Sequence, residues 1–391
     1  MSGKTKGLLA AIMLGLLIAG CTTPRAPKPG SFDSFRPLVP YSVDSSQGTW
    51  ATFPMGQLGN KFNTFWQLFH RQPGTSRWSN QVKATATATN GGLLLASNQT
   101  ELAVAIRPSV DLTFTPIIFT VNGGSTWSNG LLDSPIARSP AAFALGPDNS
   151  GLALVENGLG NYVVESPPGL KAWVIIATRK SLDAVKGACS VDQIVGVNFL
   201  ISTPLIETTC KGSNGLGVYT VDNSHPQEIE TIRSFRPAIR HLQLLGSEST
   251  ASATEILLQA TQTRHLELLI ETVQVDGSGG TPVVSTVQIS LGNRSQVSSL
   301  SWNFQGDMLV LANSQSTGQL GLEYFPTRRA WSTQATPSFS ASSLVLGNDG
   351  SMWEFETSGK TLQIAQHLPG ATGWTSPTST RVALQYGSSN F

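Results

Sequence analysis

A short turn followed, five residues after its first position, by a tryptophan occurs five times in this chain and sets what it can fold into. The copies are Pro73-Gly74-Thr75-Ser76-Arg77-Trp78, Asn122-Gly123-Gly124-Ser125-Thr126-Trp127, Pro168-Gly169-Leu170-Lys171-Ala172-Trp173, Pro326-Thr327-Arg328-Arg329-Ala330-Trp331 and Pro369-Gly370-Ala371-Thr372-Gly373-Trp374. Five of the nine tryptophans therefore share one setting, and Ser or Thr follows four of them. The spacing is 49 residues from Trp78 to Trp127, 46 from Trp127 to Trp173 and 43 from Trp331 to Trp374. The long gap from Trp173 to Trp331 leaves room for two more units without the Trp. A period in this range denotes a repeat architecture.

Each unit reads as four strands. In the second unit these are Leu93–Ser97, Glu101–Arg107 and Leu112–Val121, with Trp127 opening the fourth. The third unit repeats the plan with Ala141–Leu145, Leu152–Glu156, Asn161–Glu165 and Trp173–Ala177. Gly347-Asn348-Asp349-Gly350 makes the corresponding first hairpin of the seventh, because Asn, Asp and Gly tolerate the positive φ that tight hairpins need. The first unit, from about residue 45 to 83, shows only its second half clearly. Val382–Tyr386 lacks a partner of its own and is expected to complete that unit and so close a ring. The expected fold class is all-β, a β-propeller of seven four-stranded blades closed by a C-terminal strand. Six or eight blades, and a two-domain β-sandwich, stay open as alternatives.

The N-terminus carries an address. Lys4 and Lys6 precede an apolar run from Leu8 to Gly20, too short for a standard bilayer span. The run ends Leu17-Ile18-Ala19-Gly20-Cys21, which resembles a bacterial lipobox. The resemblance implies cleavage of residues 1–20, a diacylglycerol thioether on Cys21 and further acylation of the new N-terminus. Several acyl chains together anchor a protein stably. The alternative is an ordinary secretory signal with a chance cysteine. Residues 21–45, with Pro24, Pro27, Pro29, Pro37 and Pro40, read as a semi-rigid tether, leaving 46–391 as the propeller. The expected location is the extracytoplasmic side of a bacterial membrane.

Thr120-Val121-Asn122-Gly123-Gly124-Ser125-Thr126-Trp127 is similar to the Asp-box of sialidase-like propellers, with Asn122 in place of the usual Asp. The resemblance implies that Asn122, Gly124, Thr126 and Trp127 are structural. The turn would lie on the face opposite an active site. The four other copies keep the tryptophan but put Pro at the Asp position.

Candidate site residues are few. Apart from Cys21, the chain has Cys189 and Cys210, 21 positions apart within one unit. In an exported protein that pair is expected to form a disulfide, with free thiols or a metal pair as the alternatives. The five histidines are scattered and no metal-ligand spacing or cofactor fingerprint is present, so no metal and no cofactor are expected. Charged residues amount to 13% and the formal net charge is +1. Nucleic acid is not expected as a partner, since phosphate binding needs a strong basic excess.

The connections that share the binding face of a propeller collect arginines. Arg138, Arg179, Arg233, Arg236, Arg294 and Arg381 fall in connections between units, and Arg107 and Arg264 in those between second and third strands. Guanidinium forks suit carboxylates, sulfates and phosphates. The candidate anion-binding set is Arg107, Arg138, Arg179, Arg236, Arg264, Arg294 and Arg381. The competing reading is that they splay into solvent or pair with Asp111, Asp133 and Asp183. Two functions follow, with a propeller lyase or other hydrolase as a third that the sequence does not assemble. One is a membrane-anchored, non-catalytic scaffold for a protein partner, an anionic ligand or a glycan. The other is a sialidase-like exo-glycosidase acting on acidic glycans. The latter needs an arginine triad and a Tyr/Glu pair. Glu323 and Tyr324 are adjacent on a predicted strand and so are expected to point apart.

Overall fold

The computed structural model describes residues 39–383, except 58–63, 82–88, 90, 108–114, 133–139, 158–159, 213–214, 223–224, 233–238, 251, 263–264, 275–282, 294, 315–317 and 335–338. Among these residues there are 28 strands, running in sequence as seven antiparallel four-strand meanders. The first is β1 (Tyr41–Ser45), β2 (Gly48–Gly56), β3 (Thr64–Arg71) and β4 (Trp78–Asn80). The second is β5 (Gly92–Ser97), β6 (Leu102–Arg107), β7 (Thr115–Thr120) and β8 (Ser128–Leu132). The third is β9 (Pro140–Leu145), β10 (Gly151–Asn157), β11 (Gly160–Ser166) and β12 (Val174–Thr178), followed by a short helix α1 (Arg179–Asp183). The fourth is β13 (Val191–Leu200), β14 (Thr203–Cys210), β15 (Leu216–Asp222) and β16 (His225–Ile232). The fifth spans β17 (Ile239–Ser249), β18 (Ala253–Gln262), β19 (His265–Gln274) and β20 (Val283–Asn293). The sixth is β21 (Gln296–Trp302), β22 (Met308–Ser314), β23 (Gly318–Phe325) and β24 (Ala330–Thr333). The seventh is β25 (Ser343–Leu346), β26 (Met352–Ser358), β27 (Thr361–His367) and β28 (Thr378–Arg381).

Buried strand faces explain the packing. All six residues of β6 are buried. Leu102, Val104 and Ile106 pack toward the first meander, while Ala103 and Ala105 pack toward the third. Successive side chains of a strand point to opposite faces, so a strand between two neighbours must be apolar throughout. The same division recurs at every junction. Separate core clusters join meanders one and two, two and three, three and four, four and five, five and six, and six and seven. A further cluster, including Phe53, Met55, Trp353 and Phe355, joins seven to one.

Two expectations about the ends are corrected. The first meander has four strands of its own, beginning at Tyr41 inside the stretch read as tether. Pro37 and Pro40 invited that reading, but a strand can begin directly after proline. The C-terminal segment is therefore not needed there. Val382 and Ala383 are not in a strand, and 384–386 lie outside the described residues. Val382 instead buries its side chain between meanders seven and one. No sheet closes on itself among the described residues. Tyr41 pairs in parallel with Leu300 and Ser42 with Ser301, which fuses meanders one and six into an eight-stranded sheet, and a single antiparallel bridge between Gly56 and Gly359 ties meander one to meander seven.

The five turn tryptophans are half-buried, each against a core cluster. Trp78 meets Trp353 edge-on and Trp127 meets Trp50 in the same way. In the second turn Asn122 Oδ1 accepts the Thr126 amide at 2.9 Å, and Asn122 Nδ2 donates to Thr126 Oγ1 at 2.8 Å. Thr120 Oγ1 accepts the Gly124 amide at 3.0 Å. Gly123 and Gly124 have φ of 64° and 80°, which glycine adopts without strain. Asn122 Oδ1 also accepts Thr120 Oγ1 at 3.1 Å, and replacing Asn122 by Ala removes all three side-chain bonds and is expected to cost about 1 kcal/mol in a denaturant melt.

Candidate functional site

The side chains that make an accessible site gather where meander three hands over to meander four. Thr178 ends β12 and caps α1: its Oγ1 accepts the Ser181 amide at 3.1 Å, and its own amide donates to Ser181 Oγ at 2.9 Å. Leu182 is buried in the core between the two meanders, which fixes the roll of the helix and leaves Arg179, Lys180 and Asp183 exposed. Asp183 then ties the helix to β13. Its Oδ1 accepts the Val191 amide at 2.8 Å and Ser190 Oγ at 3.1 Å. Arg179 Nε donates to the Val191 carbonyl at 3.2 Å.

A disulfide between Cys189 and Cys210 fastens the same connection to the end of β14. Beside it the Lys211 amide donates to the Ser190 carbonyl at 2.7 Å, and Lys211 Nζ lies 3.5 Å from Asp183 Oδ2. Below the disulfide Tyr219 Oη donates to the Cys189 carbonyl at 3.3 Å. Burial and the nearby Glu228 push the Tyr219 phenol up to about 12, so it stays a donor at physiological pH. The amide of Val191 and the Ser190 hydroxyl, with Lys211 adding to them, hold the Asp183 carboxyl below its usual range.

These groups border an open cleft of about 680 Å³. Its charged lining is Arg179, Lys180 and Lys211 against Asp183 and Asp192, and its neutral polar lining is Asn161, Tyr162, Thr178 and Gln193. It lies at the end of the strands where connections between meanders meet those between second and third strands, the face on which cationic loops are expected.

Of the predicted arginines, Arg179 lies in this cleft. Arg381 is exposed at the end of β28. Arg107 is 2% exposed at the end of β6, so the fold encloses it and it presents no charge to a face. Arg138, Arg236, Arg264 and Arg294, with Arg233, lie outside the described residues, as does Cys21. Lys180 and Lys211 were missed because only arginines were counted, although each directly follows a residue that was singled out. No group of three or more His, Cys, Asp or Glu side chains able to hold a metal occurs among the described residues.

Two further polar clusters were not foreseen. Glu323 and Tyr324 do diverge: Tyr324 is in the core between meanders five and six, while Glu323 accepts from Gln334. Tyr41 does find a glutamate, its Oη donating to Glu248 Oε2 at 3.3 Å. Burial pushes Glu248 up to about 8. Neither residue stands near the other in sequence, so no local pattern signals the pair. The second cluster joins meanders seven and one around Arg71. Its Nη1 donates to the Thr75 carbonyl at 2.9 Å and lies 3.5 Å from Asp349 Oδ2, and its Nη2 donates to Thr49 Oγ1 at 3.1 Å. The guanidinium carbon stands 4.0 Å from the Trp353 ring centroid.

Burial also raises Asp44 to about 6, and Glu101, Glu255 and Glu323 to about 7. A carboxyl whose folded pKa exceeds its unfolded value stabilises the fold while protonated, and that contribution is lost as pH rises through the folded pKa. The window here runs from about 4 to 8. The melting temperature is therefore expected to fall between pH 5 and pH 8.5, by on the order of 5 °C in a thermal-shift series. A rise over that range would show that these carboxyls are not held protonated by the fold.

No family model and no curated protein matches the sequence. Several solved structures do resemble the fold. A protein from Lactobacillus plantarum, known by crystal structure, shares 10% identity at a TM-score of 0.52, over 85% of this chain and 96% of its own. The periplasmic gluconolactonase of Pseudomonas aeruginosa aligns at 11% identity and a TM-score of 0.48, over 85% and 95%. The fucose-specific lectin of Aleuria aurantia, a six-bladed β-propeller, aligns at 14% and 0.43, over 76% and 94%. The fold is a β-propeller. At such identities the likeness extends to the fold alone.

Proposed function

We propose that this chain is a lipid-anchored extracytoplasmic propeller that acts as a non-catalytic binding or assembly scaffold. In this reading Cys21 is lipidated, residues 21 to about 38 form the tether, and the blades number seven. The seven consecutive meanders, with a core cluster between each neighbouring pair including seven and one, support that count. The hydrogen bonding of the Thr120–Trp127 turn supports its likeness to an Asp-box.

The observation that carries the functional reading is the cleft between meanders three and four. Three cations, a disulfide-fastened wall and a set of neutral hydrogen-bonding side chains form an open, pre-shaped surface on the loop face. With three cations against two carboxylates the cleft holds an excess of one positive charge, which suits a partner that presents a carboxylate, and its pre-shaped walls leave little ordering cost to offset on binding. The test is a crosslinked pull-down from membranes of the full lipidated protein beside an Arg179→Ala, Lys180→Ala, Lys211→Ala variant. The expected result is a defined partner lost in the variant. Partners retained at equal yield would remove the cleft from the function.

A second reading, a sialidase-like exo-glycosidase acting on acidic glycans, would draw on the Tyr41–Glu248 pair, although burial raises both groups and keeps the glutamate protonated at neutral pH. A tyrosine beside a glutamate is the nucleophile arrangement such chemistry needs. Hydrolysis of a fluorogenic sialoside that disappears in Tyr41→Phe would establish it. No turnover by the unaltered protein would dismiss it.

A further inference from the structure

We infer that the cleft between meanders three and four recognises the free C-terminal carboxylate of a partner polypeptide. This rests on the scaffold reading and names the chemistry of its partner.

The charge count decides against a polyanion. Arg179, Lys180 and Lys211 face Asp183 and Asp192, an excess of a single positive charge. Lys211 is already engaged with Asp183, at 3.5 Å. Arg179 and Lys180 are then left to receive a ligand, with Asp192 opposing any second negative group. A run of acidic side chains, a polyphosphate or a sulfated polymer would bring several charges against that carboxylate. One carboxylate matches the excess.

Arg179 is set up to receive it. Its Nε is held by the Val191 carbonyl at 3.2 Å, which fixes the plane of the guanidinium while the Nη nitrogens stay available on its far side. The side chain is exposed, so the fork can meet an incoming carboxylate without displacing protein. A carboxylate held by two parallel charge-assisted bonds is the strong case of such recognition.

The neutral lining points to polypeptide as the body that carries the carboxylate. Gln193 offers a carbamoyl group that both donates and accepts, the same pair of functions as a peptide unit. Tyr162 is half-buried and offers an aromatic wall for a C-terminal or penultimate side chain. Asp192 is placed to accept from a backbone amide or to pair with a basic side chain further back. The open form of the cleft lets a chain leave it, as a C-terminal segment of a larger protein must.

The experiment is fluorescence anisotropy with the full chain and two labelled pools of randomised hexapeptides. The pools are identical except that one has free C-termini and the other is amidated. The expected result is that the free-acid pool binds about tenfold more tightly. Arg179→Ala should erase that difference and Tyr162→Ala should weaken the free-acid pool. Arg77→Ala, an exposed arginine outside the cleft, should leave both unchanged. Equal binding of the two pools, still weakened by Arg179→Ala, overturns the C-terminal carboxylate while leaving the cleft as the binding site. Binding of both pools indifferent to Arg179→Ala overturns the cleft as well. No binding of either pool at about 1 mM overturns the polypeptide class.

Discussion

Arg71→Ala is expected to destabilise the protein by about 2 to 3 kcal/mol, the cost of removing a buried guanidinium that is bonded to neighbouring polar groups, its ion-pair partner Asp349 being half-exposed. The Arg71 side chain is 4% exposed and serves four groups at once: the Thr75 carbonyl, Thr49 Oγ1, the Asp349 carboxylate and the face of Trp353. Asp44 is buried close by and accepts the Asn348 amide at 2.7 Å. Without the guanidinium, the buried Asp44 loses the cation that offsets its desolvation, the half-exposed Asp349 loses its ion pair, and the Trp353 ring loses its cover. Lysine should not rescue, because an ammonium cannot reach a carbonyl, a hydroxyl and a ring with one fixed plane. Denaturant melts give the magnitude, and hydrogen exchange gives the place. The loss should appear first in β1–β3, β25 and β26. A second substitution, Asp349→Asn, should recover part of it. An Arg71→Ala protein within about 1 kcal/mol of the parent would mean that the seven-to-one junction rests on its apolar cluster alone.

Removing the disulfide is a change of comparable size. Cys189→Ser with Cys210→Ser opens a loop of sequence separation 21 and is expected to cost about 3 kcal/mol. The consequence for function is more telling than the stability. Cys189 sits on the connection that carries Asp183 and Ser190, and Cys210 adjoins Lys211, so both walls of the cleft depend on this link. In the double variant, amide exchange should rise across 184–191 and 211–212, while β25–β28 stays protected. Uniform exchange across all seven meanders would instead indicate a global effect with no special relation to the cleft.

The architecture was largely legible because it repeats. Ala141–Leu145 was read to within one residue, and the other strands of the second and third meanders to within a few. Apolar runs between turn residues carry that signal locally. The first half of meander one was not read because Pro37 and Pro40 stand just before Tyr41, and a five-residue strand gives little periodicity of its own. The misplacement of Val382 followed from it: a strand that looked missing was supplied from the wrong end of the chain.

The site was legible in part. Arg179 and the cysteine pair were marked in the sequence and meet at the cleft, whereas Asp183 was marked as a partner for arginines and pairs with Lys211 instead. Arg107 was misjudged because being last in a strand does not reveal whether the side chain turns into the core. Arg71 was overlooked for the converse reason. It lies on the opposite face, and what makes it matter is contact with Asp349 and Trp353 from the far end of the chain. Such contacts exist only once the first and last meanders are packed together.

The most direct test of the scaffold at the loop face is site-specific photocrosslinking of the full lipidated protein in its own membrane. One photoreactive side chain replaces Gln193 in the cleft. Another replaces Gly370, in a turn at the opposite end of the strands. A single defined protein adduct from position 193, absent from position 370 and lost when Arg179 is also replaced by Ala, is the predicted result. Adducts of equal yield from both positions, or a partner captured only from position 370, would contradict it.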